Sequence, residues 1–237
     1  MNLNLLNKTS SRPEFVGTAA MDTIGLVIPG IDSELLEKMN IKKDYRALGV
    51  YSSRTGAAGQ FTALDDAVKT TNTEVLSIEL PRDTKGGAGH GNYVVLGAHD
   101  VSDVRSAIKK ALELTDKYTG ELYASDAGHL EFTYSASAGP VLQKALNAKP
   151  YQAFAFMAGA PAAIGLVMAD AAVKAGNVEI VTYMTPNHGT SFTNEVILAF
   201  SGNAAEVKSA ILEARAVGLD LLSTMNGEVK PLGTPYL

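Results

Sequence analysis

Two loops hold most of the residues in this sequence that could bind or convert a ligand. The first spans 82–91 and combines glycines with charged residues and His90, and the second spans 187–193 and combines hydroxyl groups with His188. Glycine allows positive φ angles and a close approach of backbone N–H groups, so the first loop could cradle an anion or line a narrow opening. A loop that binds no ligand is the alternative that the sequence leaves open.

Both loops lack the familiar cofactor and catalytic patterns. No Gly-Lys-Ser or Gly-Lys-Thr follows the glycines of the first loop, and this loop leads into a strand rather than a helix, unlike a dinucleotide-binding turn. The histidines, at 90, 99, 129 and 188, show no HExxH or paired spacing typical of metal ligands. His188 stands near Ser191, but no acid with an orienting role accompanies them. The sequence therefore predicts no catalytic residue, no metal and no cofactor.

The two loops occupy the same place in a repeat that covers most of the chain. Residues 65–75 return in similar form as residues 170–180, and each copy is followed by an apolar run, a proline, a loop and a second apolar run. The separation stays near 105 residues through several further elements. A single register kept over helix, strand, loop and strand predicts a tandem duplication of one α+β domain.

Local signals indicate where the helices and strands around the loops begin. Asp32 opens a short helix, a strand covers 45–51, and an amphipathic helix covers 60–71. Asp100 and Asp103 are spaced as a capping box ahead of the next helix. The repeat has the same spacing at Asn203 and Glu206. We predict a loose tail over 1–13, a first domain over 14–118, a second domain over 119–226 and a C-terminal tail over 227–237.

The composition is that of a globular chain with an ordinary core. Hydrophobic residues make up 46% of the 237 residues and charged residues 19%, which argues against disorder. A net charge of −5 argues against a nucleic-acid surface, and the absence of cysteine fits the cytosol. Residues 153–169 carry no charge, but Gly159, Pro161 and Gly165 interrupt them, so we predict no membrane span.

Several motifs of the chain resemble one known family. The pattern Asp-x-Ala-Val-Lys-x-x-Asn-x-Glu, followed by strand, loop and strand, is similar to the bacterial microcompartment shell domain, and the chain contains it twice. In each copy the strand and short helix precede the helix with the lysine, which resembles the circularly permuted variety. The segments 14–18, 81–91 and 188–195 are similar to shell proteins of propanediol-utilisation compartments.

This resemblance implies a structural protein rather than an enzyme. Its tandem-domain class forms homotrimers that imitate a hexamer and join hexagonal sheets with other shell proteins in the cytoplasm, around encapsulated enzymes. The loops would converge on the trimer axis as a pore for small polyols such as propanediol or glycerol. The implied pore residues are Arg82, Asp83, Thr84, Lys85, Gly86, Gly87, Gly89, His90, Gly91, Asn187, His188, Gly189, Thr190, Ser191 and Thr193.

The family also implies a role for the lysine of the repeated motif. In shell tiles this lysine lies at the tile edge and packs against the neighbouring tile. The implied edge residues are Lys69, Asn72, Lys174 and Asn177. A solvated residue near a helix C-terminus is the alternative for each lysine. For the whole protein the alternative is a soluble trimeric sensor or enzyme that uses the same glycine- and histidine-bearing loops.

Overall fold

The structure, a computed structural model, describes residues 12–81, 90–190 and 192–237. Its first half contains a five-stranded antiparallel sheet with the spatial order β1-β2-β3-β5-β4. The strands are β1 (Glu14–Ala19), β2 (Thr23–Ile28), β3 (Ala47–Ser53), β4 (Glu74–Glu79) and β5 (Asn92–Ala98). Three helices accompany this sheet: α1 (Ser33–Lys38), α2 (Ala58–Val68) and α3 (Val101–Tyr118).

The second half repeats the arrangement and adds one short strand. Its sheet has the order β11-β6-β7-β8-β10-β9, again antiparallel throughout. The strands are β6 (Leu122–Ser125), β7 (Gly128–Ser135), β8 (Ala153–Ala160), β9 (Val178–Met184), β10 (Val196–Gly202) and β11 (Lys230–Pro231). The helices are α4 (Pro140–Leu146), α5 (Ala162–Ala175) and α6 (Ala204–Ser223). Apart from β11, the strand order matches that of the first half, which confirms the prediction of two copies of one α+β domain.

The helix starts show which capping signals were predicted correctly. The Asp32 side chain accepts hydrogen bonds from the backbone N–H groups of Glu34 and Leu35, so α1 begins where the sequence predicts. The two predicted capping boxes are only partly formed. At the start of α6 the Asn203 side chain accepts from the backbone N–H of Ala205 at 3.0 Å, as the sequence predicts. The side chain of Asp100 makes no capping bond to α3. Glu206 instead accepts from the backbone N–H of Asn177, because the chain that leaves α5 passes in front of α6.

The two halves share a hydrophobic core. Phe61 and Leu64 of α2 belong to the same buried cluster as Leu142 of α4 and Phe154 and Phe156 of β8. Helix α2 is therefore packed between its own sheet and the second half, and almost all of its residues are buried. A smaller core, under α5 and α6, belongs to the second half alone.

Residues after α6 return to the junction between the halves. Glu121 lies in the 3₁₀ turn 119–121 that joins them, and its side chain is fully buried. Its carboxylate accepts from the backbone N–H groups of Tyr236 and Leu237, both at 2.6 Å, and from Arg215 at 3.0 Å. The end of the described chain is thus held by hydrogen bonds at the start of the second half.

Candidate functional site

The first predicted loop joins β4 to β5. Residues 82–89, which include Arg82, Asp83, Thr84, Lys85, Gly86, Gly87 and Gly89, lie outside the described residues. At the two ends of the loop, the N–H of Gly91 donates to the carbonyl of Pro81 over 2.9 Å. A Cβ on Gly91 would lie 2.4 Å from the carbonyl oxygen of Ser53, so only glycine fits here.

The second predicted loop joins β9 to β10 and is a compact turn. Backbone bonds run in both directions between Thr185 and His188, at 2.7 and 2.9 Å. The hydroxyl of Thr190 donates to the Thr185 carbonyl, and the hydroxyl of Thr193 bonds to the Thr190 carbonyl. These two hydroxyl donors therefore hold the loop together, while Asn187, His188 and Gly189 are exposed. Ser191 lies outside the described residues.

A buried acid connects the ends of the two loops. Glu195, just before β10, contacts Nδ1 of His90 with one carboxylate oxygen. Its other oxygen, Oε2, lies 3.2 Å from Nε2 of His129 in β7. The Thr193 hydroxyl lies 2.8 Å from Oε1, the oxygen that contacts His90. All three ionisable side chains are almost fully buried. Glu195 thus joins a residue of the first half to two elements of the second.

The two buried carboxylates of this region have opposite pKa shifts. Burial alone would raise the pKa of Glu195, but hydrogen bonds from His129 and His90, with the attraction of their charges, lower it to about 2. Glu131, also in β7, has a raised pKa because burial outweighs the attraction of His129 and the N–H groups of Ala57 and Ala58 that its carboxylate accepts. Of these two carboxylates, Glu195 is the one whose charged form the surroundings stabilise.

Polar atoms without hydrogen-bond partners gather next to this cluster. Among the described residues, the buried side-chain atoms without a partner are Thr55 Oγ1, Gln60 Oε1, His90 Nε2 and Asn92 Oδ1. The amide nitrogens of Gln60 and Asn92 both donate to the Ser53 hydroxyl, which holds these side chains near each other. A cavity of about 10 Å³, roughly the room for one water molecule, is lined by His90, Glu131 and Glu195 among others. The contact between the halves therefore contains a polar region beside its hydrophobic core.

A larger cleft reaches the cluster from the surface of the second half. Its volume is about 330 Å³. The cleft is lined by the β6–β7 turn, the start of α5 and the segment before β10. Its lining residues include Asp126, His129, Pro161, Thr193 and Glu195. The cleft and the small cavity share His129 and Glu195. A small hydroxylated molecule would meet carboxylate, imidazole and hydroxyl groups there.

The two motif lysines have different surroundings. Lys69 contacts Asp65 at 2.8 Å and Asp66 at 3.2 Å, and it also donates to the carbonyl of Ser137 in the second half; 29% of its side chain is exposed. Lys174 pairs with Asp170 at 2.6 Å, and 72% of its side chain is exposed. Lys69 is therefore engaged between the halves of its own chain. The candidate edge residues Asn72 and Asn177 are both exposed.

The structure brings together only part of the predicted site. His90 and Thr193, from different loops, meet at Glu195, whereas His188 lies on the exposed turn and His99 contacts the ring of Tyr45. Sequence reasoning missed Glu195 as the connecting acid. A signal for its partner His129 and for the nearby Glu131 existed, since these polar residues occupy alternate positions of a strand, where one face must be buried.

The described residues also bear on two other classes of function. Within the ranges 12–81, 90–190 and 192–237, no three histidine, aspartate or glutamate side chains are grouped so that they could hold a metal ion. In the same ranges no helix has the length and apolar character needed to cross a membrane.

Comparison with known proteins decides the family. The BMC domain family matches residues 47–127 and 153–230. The chain belongs to this family. Each match begins at the third strand of its sheet, so that two strands and a short helix precede it, as expected of the circularly permuted order. The bacterial microcompartment shell protein PduB of Citrobacter freundii is 50% identical over 226 residues, which cover 95% of this chain and 84% of that protein.

Further relatives agree with this assignment. PduB of Limosilactobacillus reuteri is 44% identical, with 95% of each chain covered. Among solved structures, EtuB from Clostridium kluyveri superposes with a TM-score of 0.91 at 47% identity, covering 94% of this chain and 98% of that one. A trimeric bacterial microcompartment shell protein PduB also has a TM-score of 0.91, at 42% identity, with coverage of 95% and 100%. The chain is thus a tandem-domain shell protein.

Proposed function

We propose that this shell protein assembles as a homotrimer that imitates a hexamer and takes a place in a microcompartment shell of the propanediol- or glycerol-utilisation type. The similarity to a shell protein described as trimeric supports the trimer. Two equivalent domains per chain and three chains per ring place six similar wedges around one axis. Larger hexagonal sheets would then form with further copies and other shell proteins, in the cytoplasm and around encapsulated enzymes.

The observation that carries the pore proposal is the equivalent placement of the two loops. One follows β4 and precedes β5, the other follows β9 and precedes β10, and both join the same pair of neighbouring strands in their sheets. In a closed ring, equivalent loops meet around the axis. Neutral backbone groups of such loops bind a polyol weakly enough to release it, which suits a passage for propanediol or glycerol.

Charge repulsion limits which loop residues stand nearest the axis. Threefold symmetry presents each charge three times, and like charges in a poorly solvated opening repel strongly. We expect Arg82, Asp83 and Lys85 to turn to solvent or pair with each other. Within the predicted stretch 86–91, His90 and Gly91 are buried. Residues 86–89 would therefore border the opening, and their glycines permit alternative backbone arrangements, as a gate requires.

Glycine-to-alanine variants of the first loop test the axial passage. Gly87→Ala with Gly89→Ala should reduce propanediol flux through assembled shells severalfold without changing the trimer, because no core residue changes. As a matched control, Ala88→Ser alters the same loop without restricting the backbone and should leave flux unchanged. Equal propanediol flux through wild-type shells, shells of the double glycine variant and shells of Ala88→Ser would contradict an axial passage.

The cleft of the second half supports a second candidate passage, within each subunit. It is open to solvent, and it shares His129 and Glu195 with the small polar cavity between the halves. Ala127→Phe would narrow this cleft at one of its lining residues. A loss of flux in Ala127→Phe shells, together with normal flux in the glycine variants, would favour this passage over the axial one.

We propose a structural role without catalysis. His188 lies on an exposed turn, and His90 is tied to Glu195, so neither is paired with a described nucleophile. Purified protein should form trimers and then sheets. Any diol turnover that disappears in both His90→Ala and His188→Ala would instead establish the enzyme alternative.

A further inference from the structure

The sequence contains the pair Asn-Gly once, in the turn that follows α6. Helix α6 ends at Ser223, and Asn226 and Gly227 are both exposed in the turn behind it. Asparagine is a thermolabile residue, because its side-chain amide can be attacked by the backbone nitrogen of the next residue. Glycine has no side chain that would hinder this attack. The pair therefore combines a permissive neighbour with exposure to water.

The backbone of this turn leaves the reacting groups unrestrained. Among the residues that the structure describes, no hydrogen bond involves the side chain of Asn226 or the N–H of Gly227. Gly227 has a φ of +104°, in the left-handed region that favours glycine. The turn thus requires glycine at the position that makes Asn226 reactive.

Another exposed asparagine of the chain lacks this combination and serves as a comparison. Asn187 lies on the second loop and is followed by His188, whose N–H donates to the carbonyl of Thr185 at 2.9 Å. The nitrogen that would attack the Asn187 amide is therefore engaged, and the imidazole side chain hinders its approach. Asn226 differs from Asn187 both in its neighbour and in the free N–H group of that neighbour.

We propose that Asn226 is a site of spontaneous modification, at which the side-chain amide is converted to a carboxylate. The nitrogen of Gly227 forms a bond to Cγ of Asn226, and the side-chain nitrogen leaves as ammonia with the proton of the attacking N–H. Water then opens the cyclic imide at either of its two carbonyls. One opening gives aspartate, and the other gives isoaspartate, in which the main chain runs through Cβ. The reaction depends neither on the proposed trimer nor on the shell.

The turn precedes a segment that ties the two halves together. Residues 228–237 run along β6, where the N–H of Leu232 donates to a β6 carbonyl at 2.8 Å. Further on, the Tyr236 hydroxyl lies 2.9 Å from the hydroxyl of Thr133 in β7, which in turn lies 2.8 Å from the hydroxyl of Thr62 in α2. The segment therefore reaches from the second half to a helix of the first.

Isoaspartate weakens this tie, because it inserts one additional atom into the main chain directly ahead of the segment. The pairing of Lys230 with Ala124 depends on where the turn ends. Charge acts in the same direction. A Cβ on Gly227 would lie 3.3 Å from the backbone nitrogen of Asp126, so the turn packs against the β6–β7 turn. The new carboxylate thus arises between the acidic residues Asp126 and Glu228, which it repels.

Peptide mapping of the full chain by mass spectrometry tests the site. After incubation at mildly alkaline pH, the peptide with Asn226 should show the mass of an acid in place of an amide and elute as two forms, aspartate and isoaspartate. The conversion should be severalfold faster than at Asn187 in the same sample, and slower at mildly acidic pH, because the attacking nitrogen must lose its proton. Asn226→Gln should keep its amide, since its longer side chain would have to form a larger ring. Equal rates at the two asparagines, or an unchanged Asn226, would overturn the proposal.

Hydrogen exchange of the backbone amides tests the consequence. In aged wild-type protein the amides of residues 232–237 should exchange severalfold faster than in fresh protein. Aged Asn226→Gln protein should exchange like fresh protein, since it forms no isoaspartate. Freshly purified Asn226→Asp carries the new charge without the additional main-chain atom, so its segment should exchange more slowly than that of aged wild-type protein. Exchange in Asn226→Asp as fast as in aged wild-type protein, or no acceleration on ageing, would contradict the loosening of the segment by isoaspartate.

Discussion

The two copies of the Asp-x-x-x-Lys motif differ in their burial and in their hydrogen-bond partners. In the first copy Asp65 is fully buried and accepts three backbone N–H groups of the other half, and Lys69 contacts that half as well. In the second copy Asp170 and Lys174 are exposed and pair only with each other among the described residues. The two local sequences are similar and both are helical, so most of the difference comes from what the tandem arrangement places beside each helix.

A duplicated motif can therefore keep its helical conformation and still have a different structural role in each copy. Asp65 stabilises the contact between the halves, because a buried carboxylate at a helix N-terminus satisfies donors that would otherwise lack partners. Asp170 contributes little to the isolated chain and remains available for contacts between chains.

The largest expected effect on the free energy of unfolding distinguishes Asp65 from Asp170. Asp65→Ala should lower the free energy of unfolding by about 3–4 kcal/mol, because it leaves the buried N–H groups at the start of α4 without an acceptor and removes one of the two carboxylates beside Lys69. Asp170→Ala should cost about 0.5 kcal/mol or less in the monomer, as exposed ion pairs do. Urea denaturation of both variants, at concentrations too low for assembly, measures the difference. Similar losses in both would contradict the comparison.

A second prediction concerns Glu195, the other link between the halves. Its pKa falls from 4.5 to about 2 on folding, so its contribution, roughly 3 kcal/mol, is present above pH 4.5 and is lost as the pH falls toward 2. Glu195→Gln should therefore flatten the decline of stability in that pH range. Glu179→Gln is the control, because it makes the same substitution at an exposed glutamate. A decline as steep as that of the wild type in Glu195→Gln would refute this account of the cluster.

The smallest expected effect on stability concerns the lysines. Lys174→Ala should change the free energy of unfolding by less than about 0.5 kcal/mol and leave trimers intact, because its side chain is exposed. We propose that it nonetheless impairs sheets, because the family resemblance implies that this exposed lysine packs against a neighbouring tile. Electron microscopy of assembled protein measures this, with Lys208→Ala, a change on another helix, as control. Normal sheets from Lys174→Ala protein would exclude the edge role.

Much of the fold could be predicted because its signals are local. The repeat of residues 65–75 at 170–180, the helix start at Asp32 and the shared strand order all follow from periodicity and spacing. The contacts between the halves could not be predicted. Glu195 meets His90 from a position more than a hundred residues away, and no local pattern distinguishes Lys69 from Lys174. Such contacts depend on how two finished domains pack.

The shared core has a consequence for how the chain unfolds. Phe61, Leu142 and Phe156 are buried in one cluster, although they come from both halves. If either half opened alone, it would expose apolar surface on the other. We therefore expect the two domains to unfold as one cooperative unit, and the subunit to move as one rigid body rather than as two domains joined by a hinge.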